Sequence, residues 1–440
     1  MTKLSDKDRR KLLNAAKRLF SIKSLLVPRS INDFREIPAK QHFSRMLTLA
    51  GNKTVFLTDS GYEHFRTIVA VIDRADIFGG MADFSDIWTA WHKVVKTWFS
   101  NGLEPENVDE VVQAITEIVA QEIDDHTFIV PLFGIELDSV DSFALGRMAI
   151  LRMSVDVLEA SGIEHNHANV PHLLELNKNY LWLKGTARGT PRVAQQKFSD
   201  QATLTVGILA ISAASMYELG ACGFRIGTIM SSEDATGRST WFSWSERVRS
   251  LTTHYASPKG QRFPVNKALG DESDMARIIY CAITILQKEH DRTELEEAIA
   301  RAVYWYSDAQ RDSVLVMRLV KYWSCVEAFF SFKNEEITQA VSSGLASTLV
   351  FGGFQFVTTS EYSTLKRRIA NLYSLRSRAV HRGSHQHTTE LDVAQFSQWV
   401  AWMIISMVAL VEQGYTTLNE VKMQTDRLDS LAIIQCKKAV

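Results

Sequence analysis

Cysteine is scarce in this chain of 440 residues: the four present, Cys222, Cys281, Cys325 and Cys436, lie far apart with no C-x-x-C pairing. That spacing argues against a disulfide framework or a zinc ribbon and fits reduced thiols in a cytoplasmic protein. No G-x-x-x-x-G-K-[ST] phosphate loop and no dinucleotide fingerprint occur, so neither nucleotide hydrolysis nor a redox cofactor is indicated, and the expectation is no cofactor. Internal repeats and low-complexity tracts are missing as well. A strong charge of either sign is also lacking. The net value of -1 gives no global field to attract a polyanion, so any affinity for nucleic acid must come from local patches. The first residues, through KDRRKLLNAAKRLFSIKSLL, are broken by charges and lack the continuous apolar core of a signal peptide.

What is there is ordinary for a globular protein, with 46% apolar and 22% charged residues and length enough for two or three domains. The N-terminal stretch reads as an amphipathic helix, with Ser5 as its N-cap and Leu12, Leu13, Ala16, Leu19 and Phe20 on one face. That face packs on the domain or, as a weaker reading, lies on a membrane surface. Residues 1–125 read as mostly helical, with Phe84 to Phe99 at helix spacing and Phe43 to Thr58 ambiguous. Residues 126–265 hold the strand candidates: Thr127 to Leu137, Phe143 to Met153, Leu204 to Ile211, Phe224 to Met230 and Ser239 to Trp244. Gly185 to Ser199 reads as a turn-rich loop. From residue 270 to 440 the pattern is helical throughout: Asp274 to Lys288, Glu294 to Tyr306, Asp312 to Phe332, Ile337 to Val350, Tyr362 to His381, Leu391 to Gln413 and Leu418 to Leu428. The uncharged run from Val393 to Val411 approaches spanning length, but Gln395, Ser397, Gln398 and Ser406 interrupt it, and a buried bundle helix is the better reading. The expected fold is therefore α+β and mostly helical: an α+β module over 1–265, then a helical bundle over 270–440.

Charge is uneven along this frame. Glu104 to Asp141 carries eleven acidic residues and no Lys or Arg. Tyr362 to Thr389 is the converse, with no acid but Lys366, Arg367, Arg368, Arg376, Arg378 and Arg382, joined by His381, His385 and His387. Concentrated cations of this kind bind phosphate and release its counterions, and the plain alternative is a solvated basic helix. Within that span, NLYSLRSRAVHRG (Asn371 to Gly383) sets an apolar stripe of Leu372, Tyr373, Leu375, Ala379 and Val380. It places His381 in the last helical turn before a glycine suited to a left-handed cap. In an ideal helix Arg376 and His381 stand about 140° apart, whereas Arg378 and His381, three residues apart, are neighbours.

The pattern L-Y-x-L-R-S-x-x-V-H-x-G resembles the signature of the HEPN superfamily and is most similar to the Apea-like HEPN family. Tyr304 to Phe332, with an aromatic start and Glu327 near its end, resembles that family's long helix, and Ile129 to Leu145 is weakly similar to its N-terminal part. The resemblance implies a HEPN-type bundle and a metal-independent endoribonuclease, with Arg376 and His381 catalytic and two copies of the motif meeting in a homodimer or higher oligomer. It also implies use in antiphage defence or as a toxin, with RNA as substrate and a phage-derived activator as a further partner. Ser377 departs from the commonest pattern, which has Asn, Asp or His directly after the Arg, though its hydroxyl can still bond phosphate.

The residue types suit that chemistry. Imidazole titrates near neutrality and serves as base or acid, while a guanidinium stays charged and offers phosphate a planar fork. Glu327 either orients Arg376 or Arg378 or sits at the rim of a packing face. Tyr373 either stacks on a base or belongs to the core. Lys366, Arg367 and Arg368 suit the RNA backbone, and Arg378 and Arg382 flank the histidine. His165, Asn166 and His167, with His172, lack the spacing of a metal nuclease site, and His385 and His387 read as a solvated loop, so no metal is expected. The competing reading is a non-catalytic, dimerising RNA-binding or scaffold protein with a degenerate motif. DNA is a poor substrate for this chemistry because it lacks the 2'-hydroxyl. A sharper expectation is that the acidic stretch covers the basic motif until a signal displaces it. No membrane association is expected.

Overall fold

The computed structural model describes residues 4–28, 41–160, 170–177, 181–217, 224–228, 239–245, 250–256, 262–270, 273–331, 337–382 and 388–438. The chain forms two compact units, Met1–Phe128 with Thr186–Phe198, and Ile129–Gly185 with Ser199–Val440.

In the first unit the elements run α1 (Asp6–Leu19), β1 (Leu25–Leu26), α2 (His42–Arg45), β2 (Met46–Thr48), β3 (Thr54–Leu57), α3 (Asp59–Arg74), α4 (Phe84–Asn101) and α5 (Val108–Ala120). The expected N-cap forms, the Ser5 side chain accepting from the Asp8 amide, and Leu12, Ala16, Leu19 and Phe20 are buried. The apolar face of α1 is thus used against α3 and α5, which leaves the packing reading of this helix. Trp91 and Phe65, both fully buried, centre the core. The ambiguous Phe43 to Thr58 stretch resolves into a small antiparallel sheet of order β1-β3-β2.

The chain continues through β4 (Asp124–Phe133), β5 (Ile135–Glu136), β6 (Ser142–Leu145), β7 (Met148–Arg152), α6 (Val155–Glu159), α7 (Val170–Asn177), β8 (Leu181–Gly189), α8 (Pro191–Met216), β9 (Gly227–Thr228), β10 (Ser239–Ser245), β11 (Ser250–Ala256) and β12 (Phe263–Pro264). Five of these strands form a sheet of order β6-β7-β8-β4-β9, while β10 pairs with β11 and β12 with β5. The helical part is α9 (Val265–Leu269), α10 (Asp274–Leu286), α11 (Glu294–Arg311), α12 (Leu315–Phe330), α13 (Ile337–Phe351), α14 (Tyr362–Arg382), α15 (Glu390–Glu412) and α16 (Leu418–Lys438). Helices α11, α12 and α15 pack on one another, and α13 lies against α12, α14, α15 and α16. Capping boxes start α11 (Thr293 with Glu296) and α15 (Thr389 with Asp392), which satisfies amides that would otherwise be orphaned. The apolar window of α15 is long enough to span a membrane but is 72% buried inside the protein. It is a core helix of the bundle.

The architecture is mostly helical with antiparallel sheets, as composition suggested, but several local expectations fail. Leu204 to Ile211 is the interior of the 26-residue α8 and not a strand. Residues 205–213 are buried on every side, so the apolar run has no period to separate helix from strand. Gly185 to Ser199 is no loop. It carries the end of β8 and then the start of α8, with Pro191 in the first helical position, where its missing N–H costs nothing. Phe143 to Met153 is a hairpin of two strands, β6 and β7, turning through Gly146 in the left-handed region. Side-chain contacts also tie the end of α8 to the bundle. Gln398 on α15 donates to the Ala214 and Tyr217 carbonyls at 3.3 and 2.8 Å, and the Trp402 indole donates to the Ser215 carbonyl at 3.1 Å, so the end of α8 belongs with the bundle.

Helix α8 also comes close to α11 at Gly207, where a Cβ would stand 2.7 Å from the Val303 carbonyl oxygen and 2.8 Å from Val303 Cγ1. Backbone cannot yield as a side-chain tip can. Gly207→Ala is therefore expected to lower stability by about 1–3 kcal/mol despite its better helix propensity. Gly353→Ala, whose Cβ would meet nothing within 4 Å, is expected to change it by less than about 0.5 kcal/mol. Urea unfolding midpoints of the two variants check both values, and equal midpoints would refute the close packing.

Candidate functional site

The motif residues from Asn371 to Arg382 lie on α14, and its geometry sorts them onto opposite faces. At 100° per residue, Arg367, Asn371, Ser374, Arg378 and His381 fall in a stripe about 80° wide, and Arg376 points about 180° from its first member. Burial agrees: those five residues are exposed, while Leu365, Ile369 and Leu372 are buried and Arg376 is only partly open. The helix stays regular through Arg382, so within one chain Arg376 and His381 are not brought together.

Arg376 is instead held by α12. Its Nη2 donates to Glu327 Oε2 at 3.0 Å and stands 3.0 Å from Oε1, with side chains only 20% and 22% exposed. The guanidinium carbon lies 5.6 Å from the centre of the Tyr373 ring, which makes an edge-on contact of 5.0 Å with the buried Trp323. Arg376 Nε is buried without a partner among the described residues. Burial raises the Glu327 carboxyl above its usual range, against the opposing pull of the Arg376 guanidinium and the Tyr373 hydroxyl. Burial raises the Tyr373 phenol too, helped by the Glu327 charge. Glu327 therefore orients Arg376, and Tyr373 is part of this packed group rather than an open stacking surface.

The other cations have separate settings. Lys366 donates to Asp429 Oδ1 on α16 at 3.0 Å, and the Tyr362 hydroxyl donates to the same oxygen, so Lys366 is committed inside the bundle and is not a free backbone contact. Arg368 is exposed with its guanidinium 5.6 Å from the Trp399 ring centre. Arg367 and Arg378 are exposed and have no partner among the described residues; the same holds for His381. Ser377 is partly buried behind them. The Arg382 side chain, Gly383, His385, His387 and the His165 to His167 tripeptide lie outside the described residues. Among the described residues no group of three or more His, Cys, Asp or Glu is placed to hold a metal ion. Of the acidic stretch, Asp109 pairs with Arg9 at 2.8 Å, Glu122 with Lys93 at 2.9 Å and Asp125 with Arg188 at 3.0 Å, so part of its charge is met within its own unit.

The arrangement offers an exposed imidazole beside an exposed guanidinium, three residues apart on one helix face, which suits proton transfer next to a bound phosphate. The stripe was visible in the 3.6-residue period. The Lys366 tie to Asp429 was not, because its partner lies on another helix. No family model, no curated protein and no solved structure matches the chain.

Arg376→Ala would leave the Glu327 charge part-buried and unpaired, and is expected to cost about 1–3 kcal/mol of stability. Arg378→Ala and His381→Ala, on the open face, are expected to stay within about 0.5 kcal/mol of the parent. Unfolding midpoints of the three variants test this division. The raised Glu327 carboxyl gives a second expectation. Its contribution is fully present below the unfolded pKa and is lost as pH rises through the folded one. Glu327→Gln lacks that titration, so its stability relative to the parent should increase as pH rises upward from the ordinary carboxylate range. A difference that stays flat, read from unfolding midpoints, would remove the raised carboxyl.

Proposed function

We propose that this protein is a metal-independent endoribonuclease of the HEPN type, most similar to the Apea-like family, acting on RNA as a homodimer in antiphage defence or as a toxin. The observation that carries the reading is the open face of α14, where His381 and Arg378 share one exposed stripe with Arg367 on a helix that holds no acidic residue from Tyr362 to Arg382. An imidazole acting as base takes the proton of a 2'-hydroxyl. The freed oxygen attacks the adjacent phosphorus, and the bond to the 5'-oxygen breaks as that oxygen is protonated, leaving a 2',3'-cyclic phosphate. One imidazole cannot serve both steps at once, and a symmetric dimer supplies the second. Arg378 is the guanidinium beside His381 that would hold the phosphoryl oxygens, and Arg376, paired with Glu327, ties α14 to α12. The first unit and the sheet are left as a regulatory or sensing module.

A second reading has its own support. The guanidinium of Arg376, the arginine that matches the family pattern, is paired with Glu327 rather than open, as in a protein that keeps the motif for structure and serves as a dimerising RNA-binding scaffold.

Total RNA and transfer RNA incubated with the protein in excess chelator distinguish the two. Cleavage by the parent, loss of at least a hundredfold in His381→Ala, and cyclic phosphate ends are expected, on the ~10²–10⁴-fold scale of acid–base catalysis. Arg378→Ala should lose more activity than stability. Equal cleavage by parent and His381→Ala would remove His381 from the chemistry, and binding without cleavage would favour the scaffold.

A further inference from the structure

A second feature of the bundle is absorbed neither by the motif nor by the core. Between α14, α15 and the residues 352–358 that follow α13 lies a cleft of about 300 Å³. Trp399, Trp402 and Phe356 line it with Arg368, Glu361 and Gln395. The Phe356 and Trp402 rings are stacked at 4.9 Å and 3°, and Phe354 stacks on Phe356 at 5.3 Å, giving a layered aromatic wall. The Gln395 Oε1 atom is buried without a hydrogen-bond partner among the described residues. A buried acceptor left unmade costs free energy that a ligand donor would recover. The two charges at the cleft are Glu361, which ends the 3-10 turn just before α14, and Arg368, seven residues further on and in the second turn of α14. Glu361 is partly satisfied by the Thr358 hydroxyl, which donates at 2.7 Å. The cleft thus has an aromatic wall, an orphan acceptor in its lining and a cation at the end away from Glu361.

We propose that this cleft takes one unstacked nucleobase, with the base against the aromatic wall, a ring or exocyclic N–H donating to Gln395, and its phosphate on Arg368. The volume is compatible with a ligand of that size. Small-molecule sites span about 300–1,000 Å³, and this cleft, at the lower limit, has room for a nucleobase. A flat ligand with an N–H edge and an anionic tail answers all three features, whereas an aliphatic ligand would leave both Gln395 and Arg368 unused. Base stacking on aromatic side chains tolerates any base, and the Gln395 amide adds the one directional contact. The base belongs either to a free nucleotide or to a single-stranded stretch of RNA. Arg367, the next residue back on the helix, begins the exposed stripe that ends at His381, and Arg368 and His381 are thirteen residues apart, about 20 Å along α14. If the strand is the source, the cleft anchors an unpaired base upstream or downstream of the cut, and that placement rests on the ribonuclease reading. Base recognition itself does not.

The test uses the full chain with His381→Ala in place, so that cleavage does not consume the probe. Binding of a fluorescent single-stranded oligoadenylate, a blunt RNA duplex, adenosine monophosphate and ribose 5-phosphate is measured by anisotropy and by competition. Arg368→Ala and Gln395→Leu, each checked for an unchanged unfolding midpoint, are expected to weaken the single strand about tenfold and to leave the duplex unchanged. Competition by adenosine monophosphate but not by ribose 5-phosphate assigns the cleft to a free nucleotide, and competition by unlabelled strand alone assigns it to an unpaired RNA base. Parent-like binding of every probe by both variants, or equal competition by ribose 5-phosphate, would overturn the proposal. Cleavage by the His381→Ala protein would refute the ribonuclease mechanism instead and leave the cleft result standing.

Discussion

The buried apolar face of α14 and the ion pair between Arg376 and Glu327 at its edge agree on one orientation of that helix, and much of the surface chemistry of the bundle follows from it. Turning an amphipathic helix about its axis would bring its apolar side chains to water, and on α14 these are Leu365, Ile369 and Leu372. Here a guanidinium and a carboxylate, 3.0 Å apart and mostly shielded, hold α14 on α12, and Trp323 and Tyr373 pack beside them. With Arg376 turned inward, the period of the helix places Arg367, Arg378 and His381 outward. A pair of this kind is weak evidence of stability, because desolvation offsets much of its attraction, but it is well suited to selecting one rotation over the others.

The same helix therefore has three kinds of basic residue distinguished only by position. Lys366 is paired with Asp429 from α16 and Arg376 with Glu327 from α12, while Arg367 and Arg378 are exposed with no acidic partner among the described residues. Arg368 stands between the last two, over the Trp399 ring. A count of positive charges treats all of these alike. The structure leaves a narrower basic surface than the sequence suggests, and a better defined one.

Much of the helical part was legible from periodicity. Helices α10 to α15 match the expected segments closely because each has an apolar face and clear boundaries: Ser273, Thr293 and Thr389 cap their helices as the residue types would suggest. Helix α8 was illegible for a physical reason. It is buried all round from 205 to 213, which erases the period, and its β-branched residues imitate a strand. The short strands β1 and β12 are only two residues long, too brief for alternation to register. At the site, the separation of Arg376 from His381 followed from the arithmetic of the helix. The role of Asp429 and the cleft beside Trp399 did not, since both need residues far apart in the chain to be placed in contact.

The acid-free span of α14 has a thermodynamic side. From Tyr362 to Arg382 the helix carries six Lys and Arg residues and no carboxylate of its own, so every anion that compensates it is borrowed. Two come from neighbouring helices and meet the inner and flanking faces; among the described residues the outward stripe has none. Any polyanion that settles there adds the missing counter-charge and favours the folded state in proportion to how tightly it binds. Occupancy of the outer face and firmness of the bundle are thus one linked equilibrium, in which the ligand completes the electrostatics of the helix that holds it.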